Sequence, residues 1–261
     1  ARDFYTLLFN FERNKLSVLL IMQKYSVFNL IKNAFSSHEN WEVAWKDPTP
    51  KKSYDVIIIG GGGHGLATAY YLAKEHNITN VAIIEKGWIG GGNVGRNTTI
   101  IRSNFMHDAN GRFNEFSMDL WRNMSQELNF NVMFSPRGII NLAHSDAQMN
   151  AYARRGNSMR LNGIDAVLLN REQVKKLIPM ADFSEDVRFP IFGGLMQPSA
   201  GTARHDAVAW GYARQADSMG VDIIQNCEVI GFDVVGGKIK GVRTSKGDIK
   251  ANKIGLCVAG S

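Results

Sequence analysis

Residues 54–85 spell out a strand, a glycine loop, a helix and a second strand, and this βαβ unit constrains the fold more than any other feature of the chain. YDVIII (54–59) is a continuous β-branched run ended by glycine, the pattern of a parallel strand buried on both faces. GGGGHG comes next at 60–65, a helix is expected over 63–76, and VAIIE (81–85) reads as the second strand. The G-x-G-x-x-G spacing falls on Gly60, Gly62 and Gly65. In such a loop the first glycine makes a tight turn, the second lets the backbone approach a pyrophosphate, and the third lets helix and strand pack closely. The exposed amides of the helix N-terminus then meet the anion. Glu85 stands twenty residues after Gly65, at the end of the second strand, where a carboxylate accepts ribose hydroxyls and repels a 2′-phosphate. The combination specifies an α/β, Rossmann-like dinucleotide-binding domain.

The residues just after Glu85 separate FAD from NAD. Gly90, Gly91, Gly92 and Asn93, then Arg96, Asn97, Thr98 and Thr99, put small and polar side chains just beyond the second strand, where an extended FAD continues toward its flavin ring. FAD is therefore the expected cofactor, and no metal is assigned.

Composition excludes several other classes. The formal charge of +6 is shared between the first 53 residues and the remainder, and charges of both signs alternate, so no basic face for nucleic acid is expected. The apolar run at 16–22 is far shorter than the ~20 residues of a membrane span and lacks a small-residue cleavage site. Cys227 and Cys257 both lie in strand-like runs, which suits free thiols in a reducing compartment, and the cytoplasm is the expected location.

The organisation is set by periodicity. Residues 1–53 read as an N-terminal extension, of which 1–21 are upstream sequence rather than native fold. A first part of the FAD-binding domain occupies 54–137, with 87–99 as loop. It includes a helix over 108–128, in which Phe113, Phe116 and Leu120 recur at helical spacing as core positions. A strand over 138–144, a polar helix near 146–161 and a short helix after Asn170, with Gln173 completing a capping box and Pro179 ending it, make 138–200 an inserted α+β substrate domain. The stretch 187–196 either lines a pocket or builds a sheet. From 201 to 261 the FAD-binding domain resumes with a helix over 205–219, capped by Gly220, and strands separated by turns at Gly236-Gly237 and Lys246-Gly247.

Four segments carry a resemblance: GGGGHGLATAYYLAKEH, IEKGWIGGGNVGRNTTIIRSN, TARHDAVAWGYAR and GVDIIQNCEV. They resemble the beta subunits of heterotetrameric sarcosine oxidases, within the D-amino-acid-oxidase-like flavoprotein superfamily, and the likeness runs from about Trp41 to the end of the chain. The resemblance implies noncovalent FAD as the site of sarcosine oxidation and a covalent FMN that passes electrons to oxygen. The implied products are glycine, a formaldehyde-level one-carbon unit that tetrahydrofolate accepts, and hydrogen peroxide. Alpha, gamma and delta subunits are implied as partners. Gly63, His64, Glu85, Lys86, Asn93, Arg96, Thr98 and Ile100 fall in the family's FAD-contacting segments, Val229 falls where a strand backbone meets adenine, and His205 matches the FMN-linked histidine. The helix N-terminus at His205 favours the neutral, nucleophilic imidazole, while Asp206 favours the cation.

The family continues well past KIGLCVAGS, so the C-terminal half of the fold is expected to be missing, and with it most substrate contacts. No catalytic residue is assigned. A fragment of this extent is expected to be inactive alone. Two alternatives stay open beside the sarcosine oxidase reading: a single-flavin amine, dimethylglycine or glycine oxidoreductase, which needs no FMN at His205, and a non-catalytic FAD-binding fragment.

Overall fold

A computed structural model describes residues 27–37, 39 and 43–259. The readings of residues 1–21 and of the apolar run at 16–22 lie outside the described residues. The chain divides into two compact units, 1–46 and 47–261. In the first, α1 (Val27–Phe35) exposes Phe28, Leu30, Ile31 and Phe35.

The second unit is built on one twisted sheet. β1 (Ser53–Ile59) leads through the glycine loop into α2 (Gly63–His76) and returns as β2 (Val81–Ile84). A 3-10 turn (Asn93–Arg96) and the short β3 (Ile100–Ile101) precede α3 (Asp108–Glu127). Then come β4 (Ile139–Ala143), α4 (Asp146–Leu161), β5 (Val167–Asn170), α5 (Arg171–Leu177), β6 (Gly193–Gln197) and β7 (Gly201–Thr202). The chain closes with α6 (His205–Ser218), β8 (Asp222–Ile224), β9 (Val229–Val235), β10 (Lys238–Thr244) and β11 (Gly247–Leu256).

The main sheet has the order β8-β2-β1-β11-β10-β9. β8, β2, β1 and β11 run parallel, while β10 and β9 return antiparallel through the turn at Gly236 and Gly237, both in the left-handed region. Ile57, Ile58, Ile83 and Ile84 are buried to 1% or less, which is why these strands read as unbroken apolar runs rather than alternating ones. Each such side chain stabilises the fold by roughly 1.5–3 kcal/mol. α2 and α6 pack together, with the rings of Tyr70 and Tyr212 5.4 Å apart. Burial, then the Glu127 carboxylate to which Tyr70 donates at 3.0 Å, hold the Tyr70 phenol far above its ordinary range.

Residues 138–200 form a separate antiparallel sheet, β4-β6-β5, with α4 and α5 packed on it. Met159, Ile164, Ala166 and Leu195 make one core, and Leu169, Val174 and Ile191 another. α5 starts with a complete capping box, Asn170 and Gln173 exchanging side-chain bonds with each other's amides at 2.9 Å. Gln197, fully buried at the end of β6, joins this sheet to the segment after β3: its amide accepts from Ser103 N at 3.0 Å and donates to Ser103 Oγ at 2.6 Å.

The expectation for α3 needs correction. Phe113 and Phe116 are 71% and 63% exposed, and the buried residues of the helix are Gly111, Met118 and Met124. Helical spacing groups residues on a face without saying which face is covered. Here the covered face is marked by Gly111, where an added Cβ would sit 3.0 Å from Ile164 Cδ1.

Candidate functional site

The parallel strands diverge at one point. From the carboxyl end of β1 one connection leads through α2 to β2 on one side, while β11 pairs on the other, and ligands of open α/β sheets bind in the crevice at such a switch point. A cleft of about 530 Å³ opens there. Its floor is the glycine loop, one wall is the 85–96 segment, another is 227–229, and a third is 257–259.

Each glycine of the loop has a different physical reason. Gly60 lies at φ +108°, in the left-handed region, and an added Cβ would meet the Cys257 carbonyl oxygen at 2.6 Å. At Gly65 the Cβ would stand 2.0 Å from the Gly60 carbonyl oxygen, so helix and loop touch backbone to backbone. Gly62 differs from both. Its backbone is extended (φ −82°, ψ −176°) and its Cβ would meet only Val94 Cγ2, at 3.7 Å. Nothing inside the protein demands glycine at 62, so a side chain there would fill only cleft. Gly62 is also the N-cap of α2 and supplies no side-chain cap, which leaves first-turn amides directed at the cleft floor. These features fit a pyrophosphate.

Glu85 closes the loop from above. Its Oε2 accepts from Gly61 N at 2.7 Å and its Oε1 from Gly87 N at 2.8 Å. Each carboxylate oxygen keeps a further lone pair, so the acid can brace the loop and still accept a ribose hydroxyl. Main-chain bonds from Cys227 N to Glu85 O and from Asn226 N to Gly87 O, both 2.9 Å, bring the wall that carries Val229 alongside Glu85.

The structure brings Gly60, Gly62, Gly63, His64, Glu85, Lys86, Asn93, Arg96 and Val229 to the cleft lining. Gly65 lies beneath it as a packing residue. Asn97, Thr98, Thr99, Ile100 and His205 are not part of that lining. Asn97 and Thr99 shape the exit from the 3-10 turn: Asn97 donates to Val94 O at 2.6 Å and accepts from Thr99 N at 2.7 Å. Thr99 holds φ +61°, a left-handed conformation that costs a β-branched residue roughly 1–3 kcal/mol. β3 pairs with β7, Ile100 opposite Thr202, and so delivers the chain beside the start of α6.

His205 is the first residue of α6. Its Nδ1 is enclosed and makes no hydrogen bond. Asp206, expected to favour the His205 cation, grips Arg204 through three bonds of 2.9–3.2 Å. Burial pushes the Asp206 carboxyl up, but Arg204, the Ala207 amide and His205 outweigh it and hold it below the ordinary carboxylate range.

Sequence reasoning passed over Trp88, Val94 and the end of β11. Val94 and Trp88 lie inside a segment read only for its glycines and polar groups. Cys257, Val258 and Ala259 reach the cleft because β11 pairs with β1, a contact between residues some 200 positions apart that local pattern does not encode. Burial raises the Cys257 thiol, with the Thr68 hydroxyl opposing. Among the described residues no three His, Cys, Asp or Glu side chains cluster to hold a metal ion, and no helix is long and apolar enough to cross a membrane.

The glycine loop, the bracing acid and the switch-point cleft define an α/β dinucleotide-binding domain. The model of the FAD dependent oxidoreductase family (DAO) matches residues 55–260, and the chain belongs to that family. It is 59% identical over 238 residues to sarcosine oxidase subunit beta of Rhizobium meliloti (strain 1021), covering 91% of this chain and 57% of that one. It is 53% identical over 222 residues to sarcosine oxidase subunit beta of an Arthrobacter species, covering 85% and 55%. Among solved structures, L-proline dehydrogenase from P. horikoshii superposes with a TM-score of 0.73 at 30% identity, over 80% of this chain and 54% of that one. The chain thus spans little more than half the length of the relatives it matches.

Proposed function

We propose that this chain is the FAD-holding portion of a sarcosine oxidase beta subunit. One observation carries the reading: the 59% identity to a sarcosine oxidase beta subunit over 91% of the chain. The glycine loop, Glu85 and the switch-point cleft are the parts this chain contributes. Bound FAD supplies a two-electron acceptor for the N-methyl carbon of sarcosine.

The chain's own residues bind and orient. The amides at the start of α2 take the pyrophosphate, Glu85 takes the adenosine ribose, and the 227–229 wall takes adenine, with Val229 at its end. Lys86, Asn93 and Arg96 line the path toward the flavin, and Asn97, Thr98, Thr99 and Ile100 set the course of the chain beyond it. His205 carries the covalent FMN. With Nδ1 enclosed, the other ring nitrogen, Nε2, is assigned as the point of attachment. The net reaction takes sarcosine, oxygen and water to glycine, a formaldehyde-level one-carbon unit and hydrogen peroxide, with tetrahydrofolate as an acceptor of that unit. The working assembly includes alpha, gamma and delta subunits and resides in the cytoplasm.

The test denatures the assembled complex in acid and asks which flavin stays on this chain. FMN should remain attached to the parent and be released by His205→Ala, while FAD leaves both. Sarcosine should bleach the flavin absorbance of the parent complex. A parent chain without covalent flavin, or a flavin that sarcosine leaves oxidised, overturns the reading.

A further inference from the structure

Trp88 is a large apolar side chain left 68% exposed, and it lines the dinucleotide cleft three residues after Glu85. Its setting is built rather than incidental. An added Cβ at Gly91 would meet the indole at Cε2, Nε1 and Cδ2, at 2.8, 3.0 and 3.2 Å. Gly91 has no positive φ to explain its glycine, and Gly90, which has one (φ +78°), makes the turn. The absence of a side chain at 91 leaves room for the ring to lie against the loop, and the bond from Gly91 N to Trp88 O at 3.0 Å ties the backbone that carries it. One side of the indole is held by the loop and the rest is open to the cleft.

The position selects which half of the ligand meets it. Gly87, one residue before Trp88, is bonded to Asn226 at 2.9 Å, and the chain from Asn226 runs through Glu228 to Val229 along the same cleft. The indole thus stands on the Glu85 side, where the adenosine ribose and base lie in the proposed FAD-binding mode, on which this inference rests. We propose that Trp88 is the stacking platform for the adenosine half of the dinucleotide. With the ring lying against Gly91 and the rest of it exposed at the cleft, a π-face is available to a base, and base–aromatic stacking needs only that face.

ADP is the probe, because it carries the adenosine half with no flavin to absorb the indole emission. ADP should quench the tryptophan fluorescence of the parent, and the quench should vanish in Trp88→Phe. Inorganic pyrophosphate should bind the loop without quenching. Trp88→Ala should weaken ADP and FAD by about tenfold, equivalent to about 1.4 kcal/mol, while Trp88→Phe holds affinity within about threefold. Gly91→Ala, which displaces the ring, should weaken both ligands as Trp88→Ala does. Unchanged affinity in Trp88→Ala, with FAD and ADP still binding the parent, overturns the stacking platform alone. Failure of the parent to bind either ligand overturns the platform together with the FAD reading.

Discussion

Gly62 and Gly65 differ by three positions and should respond oppositely to the same methyl group. In Gly65→Ala the new Cβ would lie 2.0 Å from the Gly60 carbonyl oxygen and 3.2 Å from Ile58 Cγ2, and the first of these is backbone that no rotamer can move. Overpacking of this kind costs about 3 kcal/mol, against which alanine regains about 1 kcal/mol of helix propensity. The net loss of about 2 kcal/mol corresponds to a fall in Tm of about 4–8 °C for a unit of this size. In Gly62→Ala the methyl meets only Val94 Cγ2 at 3.7 Å, on a backbone already extended. Removing the freedom of glycine in the unfolded chain should leave Tm unchanged or raise it by about 1–3 °C. The affinity for FAD should nevertheless fall at least about tenfold, because the methyl occupies the backbone's approach to the pyrophosphate. Melting curves without flavin, followed by FAD titration of each variant, separate the two effects. A flavin-free Gly62→Ala that melts as early as Gly65→Ala would show that the glycine at 62 serves the fold. A Gly62→Ala that binds FAD like the parent would remove the pyrophosphate from the cleft floor.

Three further outcomes rest on named contacts. Glu85→Gln keeps one acceptor for Gly61 N or Gly87 N and turns a donor toward the other, so it should cost about 1–2 kcal/mol in the flavin-free chain; an unchanged melting temperature would mean the carboxylate does not brace the loop. Asn170→Ala removes the side-chain half of the α5 capping box, the bond from Gln173 N to Asn170 Oδ1, and should lower stability by about 1 kcal/mol, read by denaturant midpoint, with FAD affinity unaltered. Burial pushes the Tyr54 phenol up to about 12, with the Asp222 carboxylate adding and the Lys51 amide opposing. The unfolded chain loses that proton first, near pH 10, so the contribution is complete below pH 10 and is lost as pH rises toward 12. Tyr54→Phe should flatten the alkaline decline, and an equally steep decline in that variant would assign it elsewhere.

Much of the fold could be read from residues 54–85 because the information there is local. The unbroken β-branched runs at 54–59 and 81–84 are what a sheet covered on both faces requires, and the helix bounds Gly63–His76 are set by a loop that must present amides at one end. The capping box at Asn170 is legible for the same reason, since both partners lie within one turn. Phe113 and Phe116 show the limit: spacing defines a face, and coverage depends on Ile164, more than forty residues away.

The site divides along the same line. An acid at the end of the second strand can be located by counting, and the motif makes a ribose its expected partner. That it also clamps Gly61 and Gly87 cannot be counted out, because the clamp depends on how far the loop bends back over β2. This double duty changes how the residue should be understood. A carboxylate whose only task was to hold a ribose would have to be oriented when the ligand arrives. With two backbone amides already pointed at it, Glu85 is satisfied before any ligand arrives, and a ribose hydroxyl adds a bond to a group that needs no rearrangement. Trp88 on Gly91 repeats the arrangement with packing in place of hydrogen bonds. Both contacts are made within the chain itself, along the same 85–91 segment of the cleft wall.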